Sequence, residues 1–275
     1  MDFLVEHEQV IRVGVFLAIL VLLSGLEFLI PLAKRRLSRP TQWFTNLVIV
    51  LLDNLTLKIV FPLLAAGVAK YANDNGYGLF NIISAPYWVS FVLSLILLDL
   101  LIYTQHVMMH RIPILWRFHR MHHTELGLDA TSALRFHPIE IIISMLIKMG
   151  FVLIMGIPVA AVIIFEVLLN GLALFNHSNI KLPEIIEKPL RRIIITPEIH
   201  WIHHSELPFE TNSNYGFNLS LWDRLFSTYI DKPKQSYKEL RQGLHEFGFK
   251  EPLNVLELLV SPFKEYPAKG DKKIK

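Results

Sequence analysis

Residues 87–123 read YWVSFVLSLILLDLLIYTQHVMMHRIPILWRFHRMHH. From Tyr87 to Tyr103 the only charge is Asp99, and the apolar run passes directly into His106-x3-His110. The nineteen residues from Tyr87 to His106 rise about 28 Å as a helix, so the first histidines emerge where a span leaves a hydrocarbon core about 30 Å thick. Pro113 can open a new helix, carrying His119-x2-His122-His123. Imidazoles at i and i+4 share a helix face, and offsets of 0, 3 and 4 fall within about 100° of arc. This stretch therefore joins a membrane helix to a cluster of converging nitrogen ligands.

The pattern returns downstream. His200-x2-His203-His204 repeats the second box, with Thr196-Pro197 reading as N-cap and first helical residue. His137 and His177 stand outside the boxes, so ten of the twelve histidines lie between positions 106 and 204. His7 and His245 read as ordinary isolated residues. Burying so many imidazoles without a metal would leave many polar nitrogens unsatisfied.

Four further apolar runs surround this core. Val13 to Ala33 carries only Glu27 as a charge and follows an acidic start, Asp2, Glu6 and Glu8, so it reads as a retained span rather than a signal peptide. Phe44 to Ala69 is a second, interrupted by Asp53, Asn54 and Lys58, where a snorkelling Lys58 paired with Asp53 is expected. Ile139 to Met155 and Pro158 to Phe175 form a hairpin turned at Gly156-Ile157-Pro158. Both ends of that hairpin then return to the level of the boxes, which places His137 and His177 beside the metal centre.

Lys and Arg alternate across the loops. The first loop has Lys34, Arg35, Arg36 and Arg39, the second loop (70–86) only Lys70, and residues 178–275 carry fifteen. By the positive-inside rule the first loop and all the boxes are cytosolic, and residues 70–86 lie opposite. The expected fold is an all-α membrane bundle of about four to five spans with a cytosolic histidine-rich helical cap. Residues 1–86 form N-terminal spans, 87–230 the catalytic region, and 231–275 a cytosolic tail ending in a lysine-rich segment, Lys269 to Lys275. The last residues resemble a dilysine retrieval signal, but a bacterial inner membrane is the preferred location.

Composition agrees. The 275 residues are 52% hydrophobic and 19% charged, with a mean hydropathy of +0.41, whereas soluble domains average about 25% charged. With no cysteine in the chain, disulfides, iron–sulfur clusters and thiolate ligation are excluded. The net charge of +3 and the lack of a basic, aromatic-interleaved stripe exclude nucleic acid as a partner.

Ligand number and type point to the metal. A structural zinc site closes with four ligands, too few for ten histidines, whereas two metals with four or five imidazoles each use the set and leave an open position apiece. Six-coordinate iron with a free position for O2 suits this better than tetrahedral zinc. Soluble di-iron bundles instead use Glu-x-x-His repeats, absent from this sequence. Candidate partners for imidazole N–H groups are Asp129, Glu140, Glu198, Glu206 and Asp223. Trp116, Phe118, Phe136, Trp201, Tyr215, Phe217 and Trp222 flank the boxes as candidate cavity walls.

The boxes in this order, with Arg135-Phe136-His137-Pro138 between the last two, resemble the fatty acid hydroxylase / sterol desaturase superfamily of membrane di-iron oxidases. Asn214-Tyr215-Gly216 and the stretch Leu221 to Tyr229 resemble its signature after the last box, so the resemblance spans about residues 88–230. Within it the chain is most similar to bacterial sterol-desaturase-like and alkylglycerol-monooxygenase-like proteins. The resemblance implies two non-haem Fe ions, O2 as co-substrate, a membrane lipid substrate, and hydroxylation, desaturation or ether-bond oxidation. No cytochrome b5 region and no nucleotide-binding motif are found, so a separate electron donor is expected, such as cytochrome b5, ferredoxin or a similar reductase system. The metal ligands expected are His106, His110, His119, His122, His123, His137, His177, His200, His203 and His204; the eight boxed residues are also the expected catalytic set. The competing readings are a membrane zinc-dependent hydrolase and a metal transporter.

Overall fold

A computed structural model describes residues 7–248 and 251–265. The lysine-rich end expected at 269–275 lies outside the described residues. Among the described residues the chain is helical, with three isolated β-bridges and no strand.

Five helices are long and apolar enough to cross a membrane. Helix α1, Glu8–Leu29, starts a turn before the expected span because Arg12 pairs with Glu8 one turn away, and Pro31 follows its end. Helix α2, Arg39–Val60, stops well short of the expected Ala69. Pro62 forces Phe61 into an extended conformation (ψ 118°), since the residue before a proline disfavours the helical region. Short helices α3, Ala65–Asp74, and α4, Leu79–Ile82, then cover that end of the bundle. Helix α5, Tyr87–Arg111, carries the first box within its last turns. It ends for the same reason as α2: Ile112 precedes Pro113 and is extended, and Pro113 opens α6, Pro113–His123.

The expected hairpin is formed by α7, Pro138–Met155, and α8, Val159–His177. Gly156 turns it with φ +67°, a left-handed conformation suited to glycine. The Gly76-Tyr77-Gly78 loop packs onto this turn so closely that a Cβ on Gly78 would lie 2.1 Å from the Gly156 nitrogen. Helix α8 is the axis of the bundle, with over half of its apolar window buried against a third or less in the other spans. Ala161, Val162 and Phe165 pack with Leu98 of α5 and Val152 of α7; Leu174 packs with Leu20 and Leu23 of α1. Val21, Phe28, Ile59, Trp88 and Ile154 face outward, as expected of side chains bathed in lipid, with Trp88 at an aromatic-belt position.

The expected pairing of Asp53 with Lys58 does not form. Five residues rotate about 140° around a helix, so Asp53 is buried while Lys58 faces outward.

Each pass reverses direction. The loop 30–38, the end of α5, the start of α7 and the end of α8 therefore share one face, and residues 61–86 and 156–158 share the other. Because the chain lacks cysteine, Asn75→Cys and Lys238→Cys report sides without background. A membrane-impermeant thiol reagent is expected to reach the two positions from opposite sides. Labelling of both from one side would contradict this arrangement.

Candidate metal centre

The remaining short helices complete the histidine-bearing face: α9, Glu184–Leu190, α10, Pro197–His203, α11, Pro208–Thr211, α12, Leu221–Leu225, and α13, Val255–Val260. Thr196 precedes α10 as expected, but its hydroxyl donates to Glu187 Oε1 (2.5 Å) rather than capping the helix.

Nine histidines converge into two groups. His106, His110, His119, His123 and His203 form one, and His122, His177, His200 and His204 the other; within each, one donor atom per residue lies within 4.8 Å of the rest. All nine are buried. The division follows helix geometry. In each HxxHH box the i,i+4 pair shares a face, so His119 and His123 serve one group and His200 and His204 the other. The third residue turns to the opposite group: His122 joins the second and His203 the first. Each box thereby ties the two groups together.

Backbone carbonyls fix the tautomers. His106 Nδ1 lies 2.7 Å from Tyr215 O, His122 Nδ1 3.2 Å from Arg135 O, His177 Nδ1 2.8 Å from Ala173 O, and His203 Nδ1 2.7 Å from Ser213 O. A carbonyl only accepts, so each Nδ1–H donates and each Nε2 carries a bare lone pair. His119 Nδ1 likewise faces Glu140 Oε1 at 2.7 Å. The Nε2 atoms of His122 and His177 sit 3.0 Å apart, and His200 Nε2 is 3.0 Å from His177 Nε2. The lone pairs of His122 and His177, facing each other at that distance, repel unless a cation lies among them. In the first group, Nε2 of His106, His119 and His203, and both ring nitrogens of His110 and His123, are buried without a hydrogen-bond partner. The donor set thus fits two metal ions.

Burial holds His122, His123, His200 and His204 well below the ordinary imidazole range and pushes His203 down to about 3. Neighbouring imidazoles reinforce the effect. All five stay neutral near pH 7, the form that ligates.

His137 is not brought to either group. Its Nδ1 accepts from Ile139 N–H (3.1 Å), capping α7, and its Nε2 faces Leu259 O (3.1 Å). With Pro138 at the first helical position, His137 occupies the N-cap, and both ring nitrogens are engaged.

Of the five carboxylates, only Glu140 touches a histidine of the groups. Asp223 acts at one remove: it accepts from Tyr215 N–H and Gly216 N–H (both 2.8 Å), fixing the segment whose carbonyl receives His106. Asp129 instead caps the 3-10 turn Ala130–Leu134 and binds Arg35. Glu198 pairs with Arg191, and Glu206 Oε2 lies 3.8 Å from His245.

Phe136 stacks on His122 (4.5 Å between centroids, 12° between planes), and Trp116, Tyr215 and Phe217 pack against His110 and His106. Phe118 lies against His137, Trp201 donates to Ser178 O, and Trp222 donates to Asp99. Asp99, read from sequence only as a charge in a span, accepts from Trp222 Nε1 (2.8 Å) and Leu219 N (3.3 Å), tying α5 to the segment after the last box.

Comparison with known proteins places this site among others. The profile of the fatty acid hydroxylases matches residues 91–228. The ornithine lipid hydroxylase OlsE of Rhizobium tropici is 28% identical over 232 residues, covering 82% of this chain and 69% of the relative. Alkylglycerol monooxygenases are also similar: that of Xenopus tropicalis is 31% identical over 159 residues, covering 56% of this chain and 32% of its own. The human protein is 28% identical over 188 residues, covering 66% and 38%. The chain thus spans about a third of the length of those two monooxygenases. No solved structure matches the chain.

Proposed function

The chain belongs to the fatty acid hydroxylase family, and we propose that it is an O2-dependent di-iron oxidase that hydroxylates an acyl or alkyl chain of a membrane lipid. The observation that carries this reading is the pair of buried imidazole groups, five and four, with tautomer-fixed lone pairs converging in each. The hydroxylase and monooxygenase names of the relatives support the reaction class. His106, His110, His119, His123 and His203 would hold one iron and His122, His177, His200 and His204 the other.

Iron, when bound, supplies the reduction of O2 that attack on an unactivated C–H bond requires. The protein contributes neutral donors, an orientation fixed by carbonyl and Glu140 acceptors, and aromatic walls that exclude water. Glu140 holds the proton on His119 Nδ1 and so directs the other nitrogen inward. Both ends of the hairpin and the end of α5 meet at the histidine-bearing face, which sets the site beside the adjacent leaflet, within range of a lipid chain. The Lys/Arg bias supports a cytosolic placement of that face, where a separate electron donor such as cytochrome b5 or ferredoxin would dock. The bacterial relative favours an inner membrane.

Lipid extracts of cells grown under 18O2 with and without the protein test this directly. One lipid class is expected to gain a single oxygen carrying the heavy label. A new product whose added oxygen lacks the heavy label, and so comes from water, would point to the zinc hydrolase reading, and a desaturated product without added oxygen to a different oxidation.

A further inference from the structure

Loop 30–38 joins α1 to α2 and therefore lies at a membrane surface, on the histidine-bearing face. It is fixed there: Ala33 exchanges hydrogen bonds with the Asn179 side chain (both 2.9 Å), and Arg36 Nη2 donates to Leu240 O (3.0 Å). Between this loop and residues 237–242 runs a narrow cleft lined by Lys34, Arg35, Arg36 and Lys238 together with Gln42 and Gln242, and by no carboxylate.

Part of the donor capacity on its walls is unspent. Lys34 and Lys238 are exposed and make no ion pair or hydrogen bond among the described residues. Arg35 spends Nη2 on Gln42 and Asp129 behind the cleft and pairs Nη1 with Glu27 Oε2 (3.7 Å), leaving Nε without a hydrogen bond. Gln242, 2% exposed, accepts from Leu128 N–H through Oε1, while its buried Nε2 has no partner. A buried amide N–H2 left unpaired is costly, and the unpaired Lys34 and Lys238 on the same cleft favour an acceptor that is itself negative. The cleft adjoins the metal centre, since Asn179 and Trp201 in its wall stand two and one residues after His177 and His200.

We propose that this cleft binds the anionic group, phosphate or carboxylate, of a membrane lipid. The inference rests on the lipid-oxidase reading and deepens it: the substrate is a lipid held by an anionic headgroup while its chain lies along the bundle toward the histidines. Juxtamembrane cations at a leaflet surface suit such a ligand.

The test is binding, so it stands apart from turnover and from iron. The full chain in neutral detergent is titrated calorimetrically with dihexanoyl phosphatidylglycerol, with dihexanoylglycerol, and with inorganic phosphate, at low and high salt. Two variants accompany it: Lys34→Gln/Lys238→Gln, at exposed positions, and Gln242→Glu, which keeps the acceptor for Leu128 N–H but replaces the free donor with an anion. The phospholipid is expected to bind, to weaken with salt, and to lose about tenfold in affinity in each variant, with the uncharged lipid binding no better than the variants do. Inorganic phosphate binding as tightly as the phospholipid would assign the cleft to a free anion and overturn the headgroup role. Phospholipid affinity unchanged in both variants, or equal to that of the uncharged lipid, would overturn the site itself. Lipid oxidation absent alongside intact binding would instead count against the oxidase reading.

Discussion

Alanine in place of His177 is expected to lower the metal content from about two ions per chain to about one, and to reduce turnover more than 100-fold. His177 Nε2 lies 3.0 Å from both His122 Nε2 and His200 Nε2, so it is the donor on which the second group closes. Its ring is set by a bond from Nδ1 to Ala173 O of its own helix, and the helix is the buried axis of the bundle. Truncation therefore removes a ligand without disturbing the span, and the loss should exceed the roughly 10–100-fold that accompanies loss of an outer partner. His203→Ala should act likewise on the five-histidine group. His137→Ala is the contrast: it removes a helix cap, worth about 1 kcal/mol, and should retain both metals. Plasma mass spectrometry of the three purified variants decides among these outcomes. Full metal content in His177→Ala would separate this residue from the centre.

Gly216→Ala should impair the centre while leaving every histidine in place. A Cβ on Gly216 would sit 2.8 Å from Asp223 Oδ2, 2.8 Å from Leu219 O and 2.9 Å from Ile195 Cδ1. Two of those atoms belong to a backbone carbonyl and to the carboxylate that holds Tyr215 and Gly216, so the segment must shift. Tyr215 O then leaves His106 Nδ1, and the ring loses the acceptor that fixes its tautomer. The expected cost is about 10–100-fold in turnover and in resistance of the first metal to chelation. Chelator-challenge kinetics measure the second directly. Wild-type retention and turnover would show that Tyr215 O does not orient His106.

The fold was legible because apolar runs of span length and proline-marked ends carry it. The hairpin helices end within two residues of the apolar runs that mark them, whereas α2 stops well short of the end of its run, because the apolar character continues past Pro62 but the helix cannot. The gathering of histidines was legible from spacing alone. Their division into five and four was not, because it depends on which way α6 and α10 face each other, a tertiary fact. His137 lies immediately before Pro138, a position that marks an N-cap as readily as a ligand, and the cap is what forms. The acceptors that fix the tautomers are mostly backbone carbonyls of Tyr215, Arg135, Ala173 and Ser213. No side-chain pattern announces a carbonyl. Asp99 was visible as a charge in a span, yet its partner Trp222 lies 123 positions away.

The nine buried imidazoles, in groups of five and four, are expected to hold two irons. The most direct measurement is the metal content of the full chain, purified anaerobically after iron-supplemented growth, by plasma mass spectrometry with Mössbauer spectroscopy on enriched iron. Two irons per chain, giving non-haem signals with nitrogen-rich ligation, are predicted. One tightly held zinc with no iron, or a single metal per chain, would rule out a pair of iron sites.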